Sequence, residues 1–187
     1  MIEVYKFAKK KGEAILLEKD FANPISFFSL GRRAEIICYG GHGTPVSWVG
    51  QWILFHILAP YGLKRVPFVR GKILAGIPCC QAGKILGPLT IRSGAKAFIG
   101  SVDYMWAGLG PEAGWDGYNY AKDFIKTWVT LHTTLIETKD PEIAVETYKN
   151  LCLEFAEKYE LQKPDEEWEY HAWAMRENCE KVKLFLE

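Results

Sequence analysis

The stretch ILAGIPCCQAGK, residues 73–84, decides the fold that we expect for this chain. It opens with an apolar run that has almost no polar alternation, which is typical of a strand buried on both faces of a parallel sheet. We therefore predict a strand over residues 72–79, ending in the adjacent pair Cys79 and Cys80. Ligands of open parallel sheets bind beyond the carboxyl ends of the strands, so the two cysteines are the first candidates for a functional site.

Similar apolar runs on either side of this stretch complete the predicted sheet. Residues 34–39 (AEIICY) and 95–102 (AKAFIGSV) predict two more buried strands, and residues 85–93 predict a short helix between strands. Strands that alternate with helices favour a mostly parallel sheet with helices on both faces. We expect a single α/β domain over residues 1–187 with a helical C-terminal third.

Three segments outside this sheet also have sequence signals. Residues 1–7 and 13–18 are short β-like runs separated by Lys-Lys-Lys-Gly, which predicts an N-terminal hairpin. Residues 48–58 predict a helix, because Trp48, Trp52 and Phe55 would share one face. The glycine-rich residues 108–119 predict a loop that is long enough to suggest a function.

The C-terminal third carries three apolar stripes at spacings of three and four residues, which predict three helices. Asp140 and Pro141 supply the N-cap and the first residue of the second helix. Asp165 is a candidate cap for the third helix, whose stripe includes Val182 and Leu186.

The same stripes predict the burial of two cysteines and two histidines in this region. Cys152 and Cys179 lie on the stripes, which predicts that they belong to the core. His132 and His171 lie off or at the edge of the stripes, so we expect surface histidines or histidines that already have a hydrogen-bond partner.

The composition argues against several classes of protein. There are 23 basic and 23 acidic residues, so a basic face for nucleic acid or an anionic membrane surface is not expected. No apolar run approaches the roughly 18 residues needed to span a bilayer, and the first residues do not resemble a signal peptide. We expect a cytoplasmic protein that binds neither nucleic acid nor membrane.

The five cysteines are odd in number and form no disulfide framework, which predicts free thiols in a reducing compartment. Neither C-x-x-C nor H-x(3–5)-H spacing occurs, so we expect no metal site. We also expect no cofactor.

A histidine follows the first predicted strand, in Gly40-Gly41-His42-Gly43, 38 residues before Cys80. That separation suits one crossover and the next strand, so His42 and Cys80 should meet at one edge of the sheet. A thiolate at Cys80 would be favoured by the start of the following helix, and it would attack a carbonyl carbon. His42 would protonate the leaving amine, and the Gly43 N–H would stabilise the oxyanion.

Together these segments resemble a known family. EIICYGGHGTP and ILAGIPCCQAGK are similar to the His-Gly and Cys-x-x-Gly segments that close two hydrophobic strands in caspase-like cysteine peptidases. The following LGPLTIRSGAKAFIGSVDYMW resembles the helix and strand after the nucleophile in gingipain-type and CHAT-type members. Over residues 34–106, the resemblance implies Cys80 as nucleophile and His42 as general acid/base, with the Gly43 and Cys80 N–H groups as oxyanion hole.

Residues beyond the strand ends are candidates for substrate binding. Asp103 or Asp116 would bind a basic side chain of a protein or peptide substrate, and Trp106 and Trp115 would line the pocket. For each of these residues, a turn, a cap or core packing is the alternative.

Two further functions are compatible with the same residues. One is a catalytically inactive caspase-fold interaction module, and the other is a cysteine hydrolase of a small amide. The alternative role for Cys80 is that of a buried small hydrophobic residue, and for His42 it is that of a turn histidine bonded to backbone. Cys79, on the opposite side of the strand, is expected to be buried, although an exchange of roles between the two cysteines stays open.

Overall fold

A computed structural model describes residues 1–17, 24–49, 56–59 and 68–187 of the chain. In these ranges the chain forms helices and strands in the following order: α1 Ile2–Lys11, α2 Pro24–Gly31, β1 Ile36–Tyr39, β2 His42–Thr44, β3 Ser47–Val49, β4 His56–Leu58, β5 Ile73–Gly76, α3 Leu86–Arg92, β6 Ala97–Ser101, a 3-10 turn Pro111–Ala113, α4 Tyr120–Thr138, α5 Pro141–Gln162, α6 Trp168–Lys181 and β7 Val182–Leu186.

The central sheet has four strands in the order β1-β5-β6-β7. The pairs β1–β5 and β5–β6 are parallel, and β7 joins the far edge antiparallel to β6. The three apolar runs predicted as strands form β1, β5 and β6, but β5 ends at Gly76 and not at Cys79 as predicted, so both cysteines follow the strand. Their carboxyl ends are in register, since Tyr39 pairs with Gly76 and Gly76 pairs with Gly100.

Both faces of this sheet are covered, as predicted for a parallel sheet made of apolar strands. On one face, Ile73, Ala75 and Ile77 pack in one apolar cluster with α4, α5 and α6. On the other face, Leu74 and Phe98 pack in a second cluster with residues from α2 and α3. The alternation of side chains along a strand divides the residues of β5 between the two clusters.

The predicted N-terminal hairpin is wrong, because the first segment is helix α1. Its apolar side chains recur at helical spacing and pack on α4, while Lys9, Lys10 and Lys11 lie in its last turn, where the helix dipole favours cations. Lys11 also forms an ion pair with Glu137 of α4 at 2.8 Å. Residues 13–17 belong to no helix or strand, and the last residue of the predicted second strand, Glu18, lies outside the described residues.

The predicted helix over residues 48–58 is also wrong, because its two ends are strands of a small antiparallel sheet, β2-β3-β4. Residues 50–55, with Trp52 and Phe55, lie outside the described residues. The Trp48 ring is fully buried between Tyr39 and Phe98, with centroid distances of 4.9 and 5.7 Å. Burial of this ring against the central sheet outweighs the local helical spacing.

The C-terminal third forms α4, α5 and α6, which confirms the three predicted helices. Asp140 caps α5 by accepting hydrogen bonds from the N–H groups of Glu142 at 2.8 Å and Ile143 at 3.2 Å. Pro141 is the first residue of that helix.

The end of the chain differs from the prediction. Helix α6 begins at Trp168 rather than directly after Asp165, and the chain from Val182 onward is strand β7, not helix. Residues at spacing four, such as Val182 and Leu186, fit one side of a strand as well as one face of a helix. The free edge of β6 supplies the hydrogen-bond partners that decide for the strand.

The cysteines and histidines of this region are all buried. Cys152 and Cys179 lie in the core as predicted. His132 and His171 are also fully buried, so the surface prediction is wrong for both. His132 lies within 2.6 Å of the Ile77 carbonyl oxygen through Nε2, which confirms the alternative of a hydrogen-bonded histidine.

No described helix has both the length and the apolar character to cross a membrane.

Candidate active site

The segments that follow β1 and β5 leave the sheet at the same edge and stay in contact. The Ile77 N–H donates to the Tyr39 carbonyl at 3.0 Å, and the Gly41 N–H donates to the Pro78 carbonyl at 2.9 Å. Hydrogen bonding between the two segments therefore continues past the ends of β1 and β5. It brings the residues around His42 and Cys80 together, as the parallel topology predicts.

Gly43 is packed directly on the two cysteines. A Cβ atom at this position would lie 2.6 Å from the Cys80 carbonyl oxygen and 3.3 Å from its nitrogen, and closer still to the Cys79 sulfur. Real Cβ atoms essentially never approach that closely, so only glycine fits this position without a shift of the neighbouring chain. The backbones of Gly43 and Cys80 are thus in van der Waals contact.

The two adjacent cysteines have different surroundings. Cys79 is 1% exposed, and its thiol donates to the His42 carbonyl oxygen at 3.7 Å. Burial raises the pKa of the Cys79 thiol well above its ordinary value, so this group stays protonated. Cys80 is half-buried, and its sulfur accepts a hydrogen bond from the Met105 N–H at 3.4 Å. Of the two cysteines, Cys80 is the more exposed.

The turn after Cys80 is held from both sides. Gln81 adopts a left-handed φ of 58°, and its N–H donates to the Asp103 carbonyl at 3.0 Å. The Gly83 N–H donates to the Ser101 carbonyl oxygen at 2.7 Å. A Cβ on Gly83 would lie 3.0 Å from the carbonyl oxygens of Gly100 and Ser101. The Cys-x-x-Gly spacing therefore has a structural reason: the glycine lets the turn approach the end of β6.

Helix α3 does not begin at Cys80. Cys80 lies in the turn that precedes it, and the helix starts only at Leu86 and has seven residues. The expectation that a helix N-terminus favours the Cys80 thiolate is therefore wrong, because the turn just described separates the two.

His42 is exposed, and its imidazole makes no hydrogen bond to any described residue. Its carbonyl oxygen accepts hydrogen bonds from the Tyr39 hydroxyl at 2.8 Å and from the Cys79 thiol. Pairing with Val49 in the small sheet also holds its backbone. The backbone is thus fixed while the side chain is available to a ligand.

Asp103, one of the two candidate acids, lies next to this turn. Its carboxylate accepts the Tyr104 N–H at 2.8 Å and lies 3.7 Å from the Lys84 ammonium. The hydrogen bond from Tyr104 is the main cause that lowers the pKa of Asp103, and Lys84 adds to it. Asp103 is therefore ionised at neutral pH and already has a cation beside it.

Trp106, one of the two candidate tryptophans, is fixed next to the residue that donates to the Cys80 sulfur. The backbone N–H of Trp106 donates to the side-chain oxygen of Asn178, and the backbone carbonyl of Trp106 accepts from the side-chain nitrogen of Asn178, both at 2.9 Å. The Trp106 ring packs on Trp173 of α6, with centroids 5.1 Å apart. Asp103 and Trp106 thus flank the segment that contacts Cys80.

The structure holds Trp115 away from the two segments around Cys80 and His42. The Trp115 indole donates to the Tyr118 carbonyl at 3.2 Å, and the Tyr118 N–H donates to Asp165 at 2.8 Å. Asp116 is exposed. No contact among the described residues brings Trp115 or Asp116 to Cys80 or His42, so the glycine-rich loop is joined to the helical layer instead.

Sequence reasoning missed several residues that shape the site. Lys84 and Gln81 lie within residues 73–84, where the Cys-x-x-Gly pattern predicts no role for them, and Met105 and Asn178 belong to no motif of the predicted site. Asn178 lies 72 residues from Trp106, and nothing in the spacing predicts their contact. Lys84 had a signal that could have been used, since it closes the turn after Cys80 beside a candidate acid.

The part of the chain that the structure describes contains no group of three or more side chains suited to hold a metal ion. Comparison of the chain with protein-family models, curated proteins and solved structures found no match. The resemblance to caspase-like peptidases therefore stays a prediction that rests on the His42 and Cys80 segments.

Proposed function

We propose that this protein is a cysteine peptidase of caspase-like fold in which Cys80 is the nucleophile and His42 the general acid/base. The observation that carries the proposal is the contact between the Gly43 and Cys80 backbones at the ends of two adjacent parallel strands. It is supported by the half-buried position of Cys80 and by the exposure of His42.

In this proposal the Cys80 thiolate attacks the carbonyl carbon of a peptide bond and forms a tetrahedral intermediate. The N–H groups of Gly43 and Cys80 are the donors for its oxyanion, because their backbones lie side by side. His42 then protonates the amine as the C–N bond breaks, which leaves a thioester on Cys80. Water, deprotonated by His42, hydrolyses this thioester and frees the thiol.

Two neighbouring residues are proposed to contribute to specificity. Asp103 would bind a basic substrate side chain, in competition with Lys84, which already lies 3.7 Å from its carboxylate. Trp106 would form an apolar wall of the same pocket. Trp115 and Asp116 are not retained, since the Trp115 indole donates within the glycine-rich loop, to the Tyr118 carbonyl, and no described contact joins Asp116 to Cys80 or His42.

The test is covalent labelling with peptidyl acyloxymethyl ketones that carry arginine, lysine or aspartate next to the reactive group. We expect labelling of the wild type, none of Cys80→Ala, and retained labelling of the matched variant Cys79→Ala. Labelling that survives in Cys80→Ala would overturn the assignment of the nucleophile.

The peptidyl ketones also test the proposal against its two alternatives. A catalytically inactive module and a hydrolase of small amides would both fail to react with them. Failure of all of these ketones to label the protein would overturn the peptidase proposal.

A further inference from the structure

His132 on α4 reaches the end of β5 from within the core. Its side chain is fully buried, and its Nε2 atom lies 2.6 Å from the Ile77 carbonyl oxygen. Burial lowers the pKa of His132 to about 4, so the imidazole is neutral at neutral pH and carries one proton. A carbonyl oxygen only accepts hydrogen bonds, so that proton lies on Nε2. The side chain of His132 is therefore a donor to the backbone of Ile77.

This hydrogen bond interrupts the regular pairing between β5 and the segment after β1. The Ile77 N–H donates to the Tyr39 carbonyl at 3.0 Å. In a regular parallel ladder the Ile77 carbonyl would accept in turn from the N–H two residues beyond Tyr39, which is that of Gly41. The Gly41 N–H donates instead to the Pro78 carbonyl at 2.9 Å, one residue further along. His132 thus takes the place of Gly41 at the Ile77 carbonyl, and the pairing is offset by one residue.

The side chains show the same offset. Ile73, Ala75 and Ile77 belong to the apolar cluster that includes α4, α5 and α6. Alternation along the chain would place the second residue after Ile77, Cys79, on this same side. Cys79 lies instead in the opposite cluster, with residues of α2 and α3. Without the offset, Cys80 would take the buried place that Cys79 now fills.

We infer that His132 is a positioning residue for Cys80, because its hydrogen bond to Ile77 fixes the one-residue offset in the pairing. A buried carbonyl without a donor is unfavourable, so the Ile77 carbonyl must have one. With His132 as that donor, the Gly41 N–H pairs one residue further along. Without His132, the carbonyl would take the Gly41 N–H, the regular ladder would return, and Cys80 would turn into the core.

His132 acts on Cys80 only through the backbone between Ile77 and Cys80. No hydrogen bond among the described residues joins the His132 side chain to Cys80 or His42, so His132 is not a catalytic residue. That His132 sets the side on which Cys80 lies follows from hydrogen bonds and packing alone. That this position matters for peptide hydrolysis rests on the proposed function, so the two statements are tested separately.

The matched variants of the full chain are His132→Gln and His132→Met. The two new side chains are unbranched and similar in length, and both suit a helix. Glutamine offers an N–H at about the reach of Nε2 in histidine, whereas methionine offers no donor. A difference between these variants therefore reports the hydrogen bond to Ile77 and not the loss of the imidazole ring.

The first measurement is the rate at which iodoacetamide alkylates Cys80 in the folded protein, and it requires no peptidase activity. Tandem mass spectrometry separates label on Cys80 from label on Cys79. Because a cysteine turned into the core reacts slowly, we expect alkylation of Cys80 to slow by about tenfold or more in His132→Met. The rate in His132→Gln should stay close to that of the wild type.

A control separates this effect from a general loss of stability. Met175→Ala creates a cavity at a fully buried residue of α6, in the same apolar cluster, and lowers the melting temperature while the donor to Ile77 stays. A protein that is merely loosened exposes its thiols, so Cys80 in Met175→Ala should react at least as fast as in the wild type. Unchanged or faster alkylation of Cys80 in His132→Met would overturn the inference, as would equal slowing in Met175→Ala.

A second variant replaces His132→Met if that protein fails to fold. The amide of His132→Asn is one methylene shorter than that of glutamine and does not reach Ile77, so the same slowing at Cys80 is expected. The wild type provides a further check by NMR with isotope-labelled histidine. The proton should lie on Nε2 of His132 at neutral pH, and a proton on Nδ1 would overturn the inference.

The second measurement tests the part that rests on the proposed function. At saturating peptidyl acyloxymethyl ketone, His132→Met should be labelled about a hundredfold more slowly, and His132→Gln should recover most of the wild-type rate. Equal rates in His132→Met and the wild type would overturn the positioning role. If these ketones label none of the proteins, the peptidase proposal fails, while the alkylation of Cys80 by iodoacetamide still decides the role of His132.

Discussion

The buried thiol of Cys79 donates to the carbonyl oxygen of His42, with a sulfur–oxygen distance of 3.7 Å. Burial raises the pKa of this thiol, so it remains a hydrogen-bond donor at neutral pH. The bond links the end of β5 to the His-Gly segment that follows β1. The next residue, Cys80, turns its sulfur toward the Met105 N–H. One cysteine therefore stabilises the arrangement, and the other is accessible.

We expect Gly43→Ala to lower both stability and labelling at Cys80. The new methyl group would lie 2.6 Å from the Cys80 carbonyl oxygen, so the two segments must separate. Overpacking of this kind costs about 1–3 kcal/mol of unfolding free energy. Misplacing one oxyanion donor should slow labelling by the peptidyl ketones by about a hundredfold.

The control for this variant is Gly12→Ala, since a Cβ there would have no atom within 4 Å. Its melting temperature and its labelling rate should stay close to those of the wild type. Wild-type labelling of Gly43→Ala would contradict the proposed role of the Gly43–Cys80 contact.

Asn178→Ala should release the segment that contacts the Cys80 sulfur. The variant loses both 2.9 Å hydrogen bonds to Trp106 and leaves part-buried backbone groups without these partners. We expect a loss of about 1–3 kcal/mol in denaturant unfolding and slower labelling of Cys80. Asn150→Ala, at an exposed position of α5, is the matched control. Unchanged stability of Asn178→Ala would show that this side chain does not hold the segment.

Lys84→Met should increase the preference for arginine next to the reactive group of the ketone. The substitution removes the cation 3.7 Å from the Asp103 carboxylate and leaves that charge for the substrate. Because the pair is exposed, the expected gain in labelling rate is about two- to fivefold. Lys96→Met is an exposed control with no expected effect. Should the double variant Lys84→Met/Asp103→Asn keep the gain, Asp103 would not be the acid that binds the substrate.

Stability should fall as the pH drops from about 6.5 toward 4. Burial lowers the pKa of both His132 and His171 to about 4, so the folded protein keeps them neutral over this range. The unfolded chain binds protons from about pH 6.5 downward, which favours unfolding. Above about pH 6.5 both histidines are neutral in the folded and the unfolded chain, so their titration does not change the free energy of unfolding.

His171→Phe tests this pH dependence. Phenylalanine keeps the stacking on Tyr120, whose ring centroid lies 3.7 Å from that of His171, and removes one of the two titrations. The difference in melting temperature between pH 7 and pH 4.5 should shrink by about 2–4 °C for each kcal/mol of linkage removed. An unchanged difference in melting temperature would exclude His171 as a source of the pH dependence. The carboxylate of Asp165 acts on the pKa of His171, so Asp165→Asn is tested in the same way.

The central sheet could be predicted because β1, β5 and β6 are buried on both faces and therefore appear as continuous apolar runs. The α5 cap at Asp140 could also be predicted, since an N-cap depends on neighbouring residues alone. The segments that became α1, β3 and β7 were assigned wrongly. These segments are short, and their apolar spacing fits a helix and a strand equally well. Contact with α4 decided for a helix at α1, burial of Trp48 decided for a strand at β3, and the edge of β6 decided for a strand at β7.

Two features of the site could be expected without the structure: His42 and Cys80 come after two neighbouring parallel strands, and Cys79 is the buried one of the two cysteines. Parallel topology suffices for the first statement. The second was expected from the alternation of sides along a strand, and it holds although β5 ends at Gly76, before both cysteines. The tertiary structure was needed to show which residues surround the Cys80 sulfur and how Lys84 and Asn178 hold those surroundings. These features depend on hydrogen bonds and burial between segments far apart in the chain, for which the spacing of residues carries no signal.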